Sequence, residues 1–108
     1  MIKIKIKHLN NHINYVEVKG HANYSNSENG DIVCASVSSV VQTALLGLLN
    51  VVKLDIPFKR SNGYLSFEIP SDLTKEQYIM IDAILNTMVE GLKDIQESFK
   101  KFVKMEEI

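Results

Sequence analysis

The stretch IKIKIKHLNNHINYVEVK, residues 2–19, decides how the chain begins to fold. Isoleucines alternate with lysines over residues 2–7, which is the period-two pattern of a strand with one buried and one solvated face. The asparagine pair that follows is a turn former, and beyond it valines again alternate with polar residues. The stretch therefore predicts a β-hairpin that ends near Gly20.

A largely buried helix and a second hairpin are predicted next. Aliphatic residues recur at spacings of three and four from Ile32 to Val52, and Asp31 precedes them as a natural N-cap. In residues 56–69, apolar residues then alternate with other residues on both sides of an Asn-Gly dipeptide, which is the strongest short hairpin signal. Pro57 lacks an amide donor, which suggests that the strand carrying it lies at an edge of the sheet.

The last third of the sequence predicts one long amphipathic helix. Thr74 and Gln77 form a capping box, and apolar residues follow at alternating steps of four and three. A helix from about residue 75 to 103 would be on the order of 43 Å long, so its end could project or meet a second subunit. The order β-β-α-β-β-α over a single domain, 1–108, predicts a two-layer α+β fold. In this fold two helices cover one face of a mostly antiparallel sheet.

Composition excludes several classes of function. The net charge is -1, without the basic excess of a phosphate-binding domain, so we expect no direct nucleic acid binding. The apolar segment 37–52 falls short of a bilayer span, and the N-terminus lacks the apolar block of a signal peptide. A single cysteine fits a reducing compartment. We therefore expect a cytoplasmic protein without a membrane partner, and because no motif indicates one, we expect no metal and no cofactor.

The lysine row of the first strand has two interpretations. Lys3, Lys5 and Lys7 could contact RNA, yet a row of lysines also protects an edge strand from pairing with other sheets. The neutral total charge favours edge protection.

The only cysteine stands where its chemistry would be favourable. With Asp31 as N-cap, Cys34 occupies the first helical turn, where unpaired amides and the helix dipole favour a thiolate. The same amides could donate hydrogen bonds to an oxyanion. The Asp31 charge disfavours the thiolate. His21 lies thirteen residues earlier, at a strand end, and could act as base. Gly20 and Gly30 are candidate hinges of the polar loop between them, which we expect to be exposed and mobile.

Other interpretations of these residues remain. Cys34 alone could be a packed core thiol, and with His8, His12 and His21 it could form a zinc site, although exposed hairpin histidines are favoured. Asp31 and Ser38 are candidates for orienting the His21 imidazole.

The motifs Gly20-His21-Ala22 and Asp31-Ile32-Val33-Cys34-Ala35, with Gly30 and Ser38, resemble the bacterial ribosomal-processing cysteine proteases. The resemblance implies a homodimeric cysteine endopeptidase with His21 as base and Cys34 as nucleophile. It also implies a substrate, the N-terminal extension of the large-subunit ribosomal protein numbered twenty-seven, which is removed during ribosome maturation. The alternative is a non-catalytic, ribosome-associated binding module in which Cys34 is structural.

Overall fold

The computed structural model describes residues 1–22 and 31–108, which form five strands and two helices. In chain order these elements are β1 (Ile2–Leu9), β2 (His12–Lys19), α1 (Ile32–Asn50), β3 (Phe58–Ser61), β4 (Tyr64–Glu68), α2 (Lys75–Ser98) and β5 (Val103–Glu107). The strands form one mixed sheet in the order β3-β4-β2-β1-β5. All neighbours are antiparallel except β1 and β5, which are parallel.

The predicted α+β fold class is confirmed. The isoleucines of β1 are buried on one sheet face, and the inner faces of α1 and α2 pack against that face to form the core. Asn10 and Asn11 have φ values of 53° and 67°, which is the left-handed conformation of both central residues in a type I′ hairpin turn. Thr74 and Gln77 exchange the two hydrogen bonds of the predicted capping box.

Two strands were predicted to lie at an edge of the sheet, and the prediction is right for one and wrong for the other. β3 lies at an edge, as Pro57 suggested, and begins one residue after that proline. The edge interpretation of the lysine row is wrong, because β1 pairs with β2 on one side and β5 on the other. A lysine on an interior strand cannot protect an edge.

The C-terminal helix is shorter than predicted. It ends at Ser98, where Phe99 takes φ -132° and ψ 51°, and the chain turns back to add β5 beside β1. Phe99 and Phe102 continue the helical spacing in the sequence, which concealed the turn. Both side chains pack against the core instead of lengthening the helix. The excess helix length that suggested a second subunit is therefore absent.

By length and composition alone, helix α1 is long and apolar enough to cross a membrane. The sequence pattern predicts instead that the apolar segment 37–52 is too short for such a span. Its inner face is buried against the sheet at six positions: Val33, Val37, Val41, Ala44, Leu45 and Leu48. The core helix of a soluble protein can meet the same criteria, so length and composition alone are weak evidence for a membrane span.

Candidate active site

The start of α1 holds the cysteine as the sequence predicted. Asp31 is the N-cap, and its Oδ1 accepts hydrogen bonds from the amides of Val33 at 2.9 Å and Cys34 at 3.3 Å. These bonds satisfy two amides that would otherwise lack partners in the first turn. The same bonds occupy two of the first-turn amides that the sequence suggested as donors to an oxyanion.

The Cys34 thiol has a backbone donor from another part of the chain. The amide of Ala22 donates to Cys34 Sγ at 3.2 Å, and the Ala22 side chain is buried. Burial raises the pKa of the Cys34 thiol and the Asp31 carboxylate raises it further, while the Ala22 amide and the N-terminal ammonium act to lower it. The net shift is upward, so the thiol is protonated at neutral pH in the protein without substrate.

The segment that carries His21 is positioned by backbone hydrogen bonds. The His21 carbonyl accepts a hydrogen bond of 2.7 Å from the Met1 ammonium. The preceding residue, Gly20, has φ +98°, and its amide donates to the Gly63 carbonyl at 2.9 Å. A side chain at Gly20 is excluded, because a Cβ would lie 2.4 Å from the Met1 carbonyl oxygen.

The imidazole of His21 lies directly against the β3–β4 turn. A Cβ at Gly63 would be 2.6 Å from His21 Nε2 and 3.1 Å from Cε1. Gly63 also has φ +72°, a conformation that most residues with a side chain avoid. The missing side chain of Gly63 therefore provides the space that the imidazole occupies.

One cavity of about 140 Å³ brings the two predicted reactive side chains together. Its lining includes both His21 and Cys34, and Ser38 stands on the next turn of α1. The Ser38 hydroxyl accepts a hydrogen bond from the Gln42 side chain, which also lines the cavity, as does Arg60 of β3. The roles proposed for Asp31 and Ser38 in orienting the imidazole stay predictions.

Sequence reasoning missed the residues that reach the site from distant parts of the chain. The Asn-Gly dipeptide signalled a turn, but nothing in the sequence placed Gly63 beneath His21. The Met1 ammonium and Arg60 carried no signal at all. Gly30 and residues 23–29 of the predicted loop lie outside the described residues.

The remaining histidines lie away from the cysteine. His12 is at the other end of β2 from His21, with Nδ1 2.9 Å from an Asp82 carboxylate oxygen and its ring stacked on Tyr78. His8 lies 3.9 Å from Glu107. Over residues 1–22 and 31–108, no group of three His, Cys, Asp or Glu side chains could hold a metal ion.

A cysteine and a histidine that line one cavity, with an amide donor on the sulfur, make a thiol-dependent enzyme the candidate class. The sequence matches the family model of the cysteine protease Prp over residues 1–104, so the chain belongs to this cysteine protease family. No protein with a curated description matches the sequence significantly.

Solved structures are similar to the chain in fold. The crystal structure of an essential ribosomal processing protease Prp from S. aureus, with a covalently linked product peptide, matches with a TM-score of 0.86. The identity is 21%, and all of both chains is covered. A substrate-peptide complex of the S. aureus protease gives a TM-score of 0.81 at 17% identity, also over both full chains. A Streptococcus mutans protein gives 0.76 at 22% identity, over 100% of this chain and 94% of the other.

Proposed function

We propose that the protein is a ribosomal-processing endopeptidase that uses Cys34 as nucleophile and His21 as base and acid. Its substrate is the N-terminal extension of the large-subunit ribosomal protein numbered twenty-seven. The observation that carries the proposal is that His21 and Cys34 line one cavity, with the Ala22 amide donating to Sγ. The similar S. aureus protein is a ribosomal processing protease that has been crystallised with substrate and product peptides.

The first half of the reaction begins from a protonated thiol. Because the pKa of Cys34 is raised, the sulfur loses its proton to His21 as it attacks the peptide carbonyl carbon. Negative charge moves onto the carbonyl oxygen, and we assign the Ala22 N–H, which lies 3.2 Å from Sγ, as a donor to it. His21 then gives the proton to the leaving amine as the C–N bond breaks, which leaves a thioester on Cys34.

The second half of the reaction restores the enzyme. Water attacks the thioester carbonyl and gives a proton to His21, the C–S bond breaks, and the sulfur takes the proton back. The carboxylic acid product then leaves. Gly63 and Gly20 allow the His21 segment to pack closely at the cavity, because a side chain at either position would collide with a neighbouring residue.

The experiment is cleavage of a precursor of the ribosomal protein that carries its N-terminal extension. Cys34→Ala should abolish cleavage, and His21→Ala should reduce it by about 10²–10⁴-fold, the usual range for loss of a general base. Ser36→Ala is the matched control, because Ser36 lies on the same helix outside the cavity lining and its hydroxyl donates to the Ile32 carbonyl. Undiminished cleavage by Cys34→Ala would refute the mechanism and favour the non-catalytic binding module.

A homodimer is part of the same proposal. An open groove of about 740 Å³ runs between α1 and α2 on the surface away from the sheet, lined mainly by small and apolar residues. Such a groove suits a second copy of the chain. Thr87→Arg, inside the groove, should convert a dimer to monomers in sedimentation analysis, whereas Asn86→Arg, exposed beside it, should not. Two variants that sediment alike would contradict this interface.

We also propose that the protein acts in the cytoplasm. Its single free thiol is suited to a reducing compartment.

A further inference from the structure

The lysine row of β1 needs an explanation other than edge protection, because β1 is an interior strand. In the sheet register Lys3 stands directly opposite Lys19 on β2 and opposite Lys104 on β5. Three cations therefore lie side by side across three strands. Like charges that face each other in this way destabilise a sheet, and such local conflicts are expected where a surface serves a function.

The lysines belong to a strongly charged surface. We call the sheet surface turned away from the helices the open face. Its register positions hold six lysines and three glutamates, namely Lys3, Lys5, Lys7, Lys19, Lys59, Lys104, Glu17, Glu68 and Glu106. The rest of the sequence holds six basic and ten acidic residues. The open face therefore has a net charge of +3 and everything else -4, a separation that the total of -1 conceals.

Carboxylates lie near some lysines of the open face: Lys5 stands opposite Glu17 and Glu106 in the register, and Lys5 and Lys19 help to lower the pKa of Glu17. The ion pairs formed within residues 1–22 and 31–108 involve His8, His12 and Lys100, and none involves a lysine of the open face. The Lys7 ammonium lies over the Tyr15 ring, 5.1 Å from its centre. In the register Lys3, Lys19 and Lys104 stand opposite no carboxylate, so this row is the part of the open face most available to an external anion.

Two aromatic rings accompany the lysines on the open face. Tyr15 and Tyr64 both donate hydroxyl hydrogen bonds to Glu17, at 2.8 and 3.1 Å, and these bonds hold the rings against the sheet. Burial acts to raise the pKa of Glu17, but these hydrogen bonds and the nearby lysines hold it below its ordinary value. The carboxylate that anchors the two rings therefore stays charged.

We propose that the open face is a docking surface for single-stranded RNA, with phosphates along the row Lys19, Lys3 and Lys104 and a base against Tyr64. Cationic rows beside aromatic rings are the combination that binds single strands without sequence preference. An acidic peptide would use the lysines but not the ring. This proposal departs from the expectation based on net charge, because binding depends on the charge of one face.

The row Lys19, Lys3 and Lys104 lies outside the active-site cavity, although Tyr64 is among the residues that line the cavity. The cavity is lined by Ile2, Val18 and Leu65, which point to the helical side of the same sheet. RNA binding and peptide cleavage can therefore be measured separately on the same protein, and the failure of one would not imply the failure of the other.

The test is fluorescence anisotropy of a labelled single-stranded RNA of mixed sequence, titrated with the full chain at several KCl concentrations. Lys3→Gln/Lys19→Gln/Lys104→Gln should weaken binding at least tenfold at about 50 mM KCl. It should also reduce the slope of log K against log[KCl] by about 2, because each phosphate contact to a single strand contributes roughly 0.7. The matched control is Lys75→Gln/Lys93→Gln/Lys101→Gln, which makes the same change in net charge at exposed positions elsewhere.

The control variant should bind RNA within about threefold of the unmodified protein. Both variants should retain peptide cleavage, which shows that they fold. Equal losses in both variants, or no RNA binding by the unmodified protein at about 50 mM KCl, would overturn the proposal. Equally tight binding of a polyglutamate peptide of matched charge would also overturn it, because the surface would then be selective only for negative charge.

Discussion

Gly63 offers the sharpest test of how the fold positions the proposed base. Replacing it with alanine introduces a Cβ 2.6 Å from His21 Nε2, where non-bonded atoms normally keep about 3.5 Å. The ring must therefore move by about 1 Å. His21 is exposed, so the ring can swing towards solvent at little cost in folding free energy. What the protein loses is the position of the imidazole.

The expected magnitudes differ for activity and stability. A displacement of about 1 Å in a catalytic group can lower kcat/KM by about 10²-fold. At a φ of +72°, replacing glycine with alanine lowers the free energy of unfolding by roughly 1–2 kcal/mol. For a domain of this size that corresponds to a fall of about 5–10 °C in Tm.

A second variant separates the loss of activity from the loss of stability. Asparagine tolerates positive φ better than alanine but still carries a Cβ. Gly63→Asn should therefore lose activity like Gly63→Ala while keeping more of its Tm. Gly47→Ala is the control, because its Cβ would meet Ile84 only at 3.5 Å and the position is helical. It should be fully active and as stable as the unmodified protein or more so, and because Gly47 lines the groove proposed as the dimer interface, its sedimentation should also be unchanged.

The measurements are peptide cleavage kinetics and thermal unfolding on all three variants. If Gly63→Ala and Gly63→Asn cleave within about twofold of the unmodified protein, the imidazole position set by Gly63 does not matter and the reasoning fails. Loss of activity only in proportion to loss of folded protein would refute it as well.

Two further predictions concern the helix N-termini. Asp31→Asn keeps a capping oxygen but removes a negative charge that disfavours the thiolate, so the pKa of Cys34 should fall. Iodoacetamide should then alkylate Cys34 at lower pH than in the unmodified protein; an unchanged pH profile would show that the carboxylate has no such effect. Thr74→Ala removes the capping box with Gln77 and should cost about 1 kcal/mol in urea unfolding, and an unchanged midpoint would contradict that role.

Elements that depend on neighbours in the sequence were predictable. The alternation of β1, the cap at Asp31 and the capping box at Thr74 each involve residues a few positions apart, so local pattern and chemistry suffice. The end of α2 was not predictable in this way. Phe99 and Phe102 fit the helical spacing, and only their packing against the core shows that the chain has turned towards β5.

Periodicity, turn residues and capping patterns were enough to predict the fold class, the hairpins and the placement of Cys34 in a first helical turn behind a capping aspartate. Contacts in the folded protein were needed to show that β1 is interior, that Gly63 makes room for His21 and that the Ala22 amide reaches Cys34 Sγ. The physical reason is the range of the interactions. Periodicity and capping act over a few residues, whereas strand order and the active-site cavity depend on contacts between segments far apart in the chain.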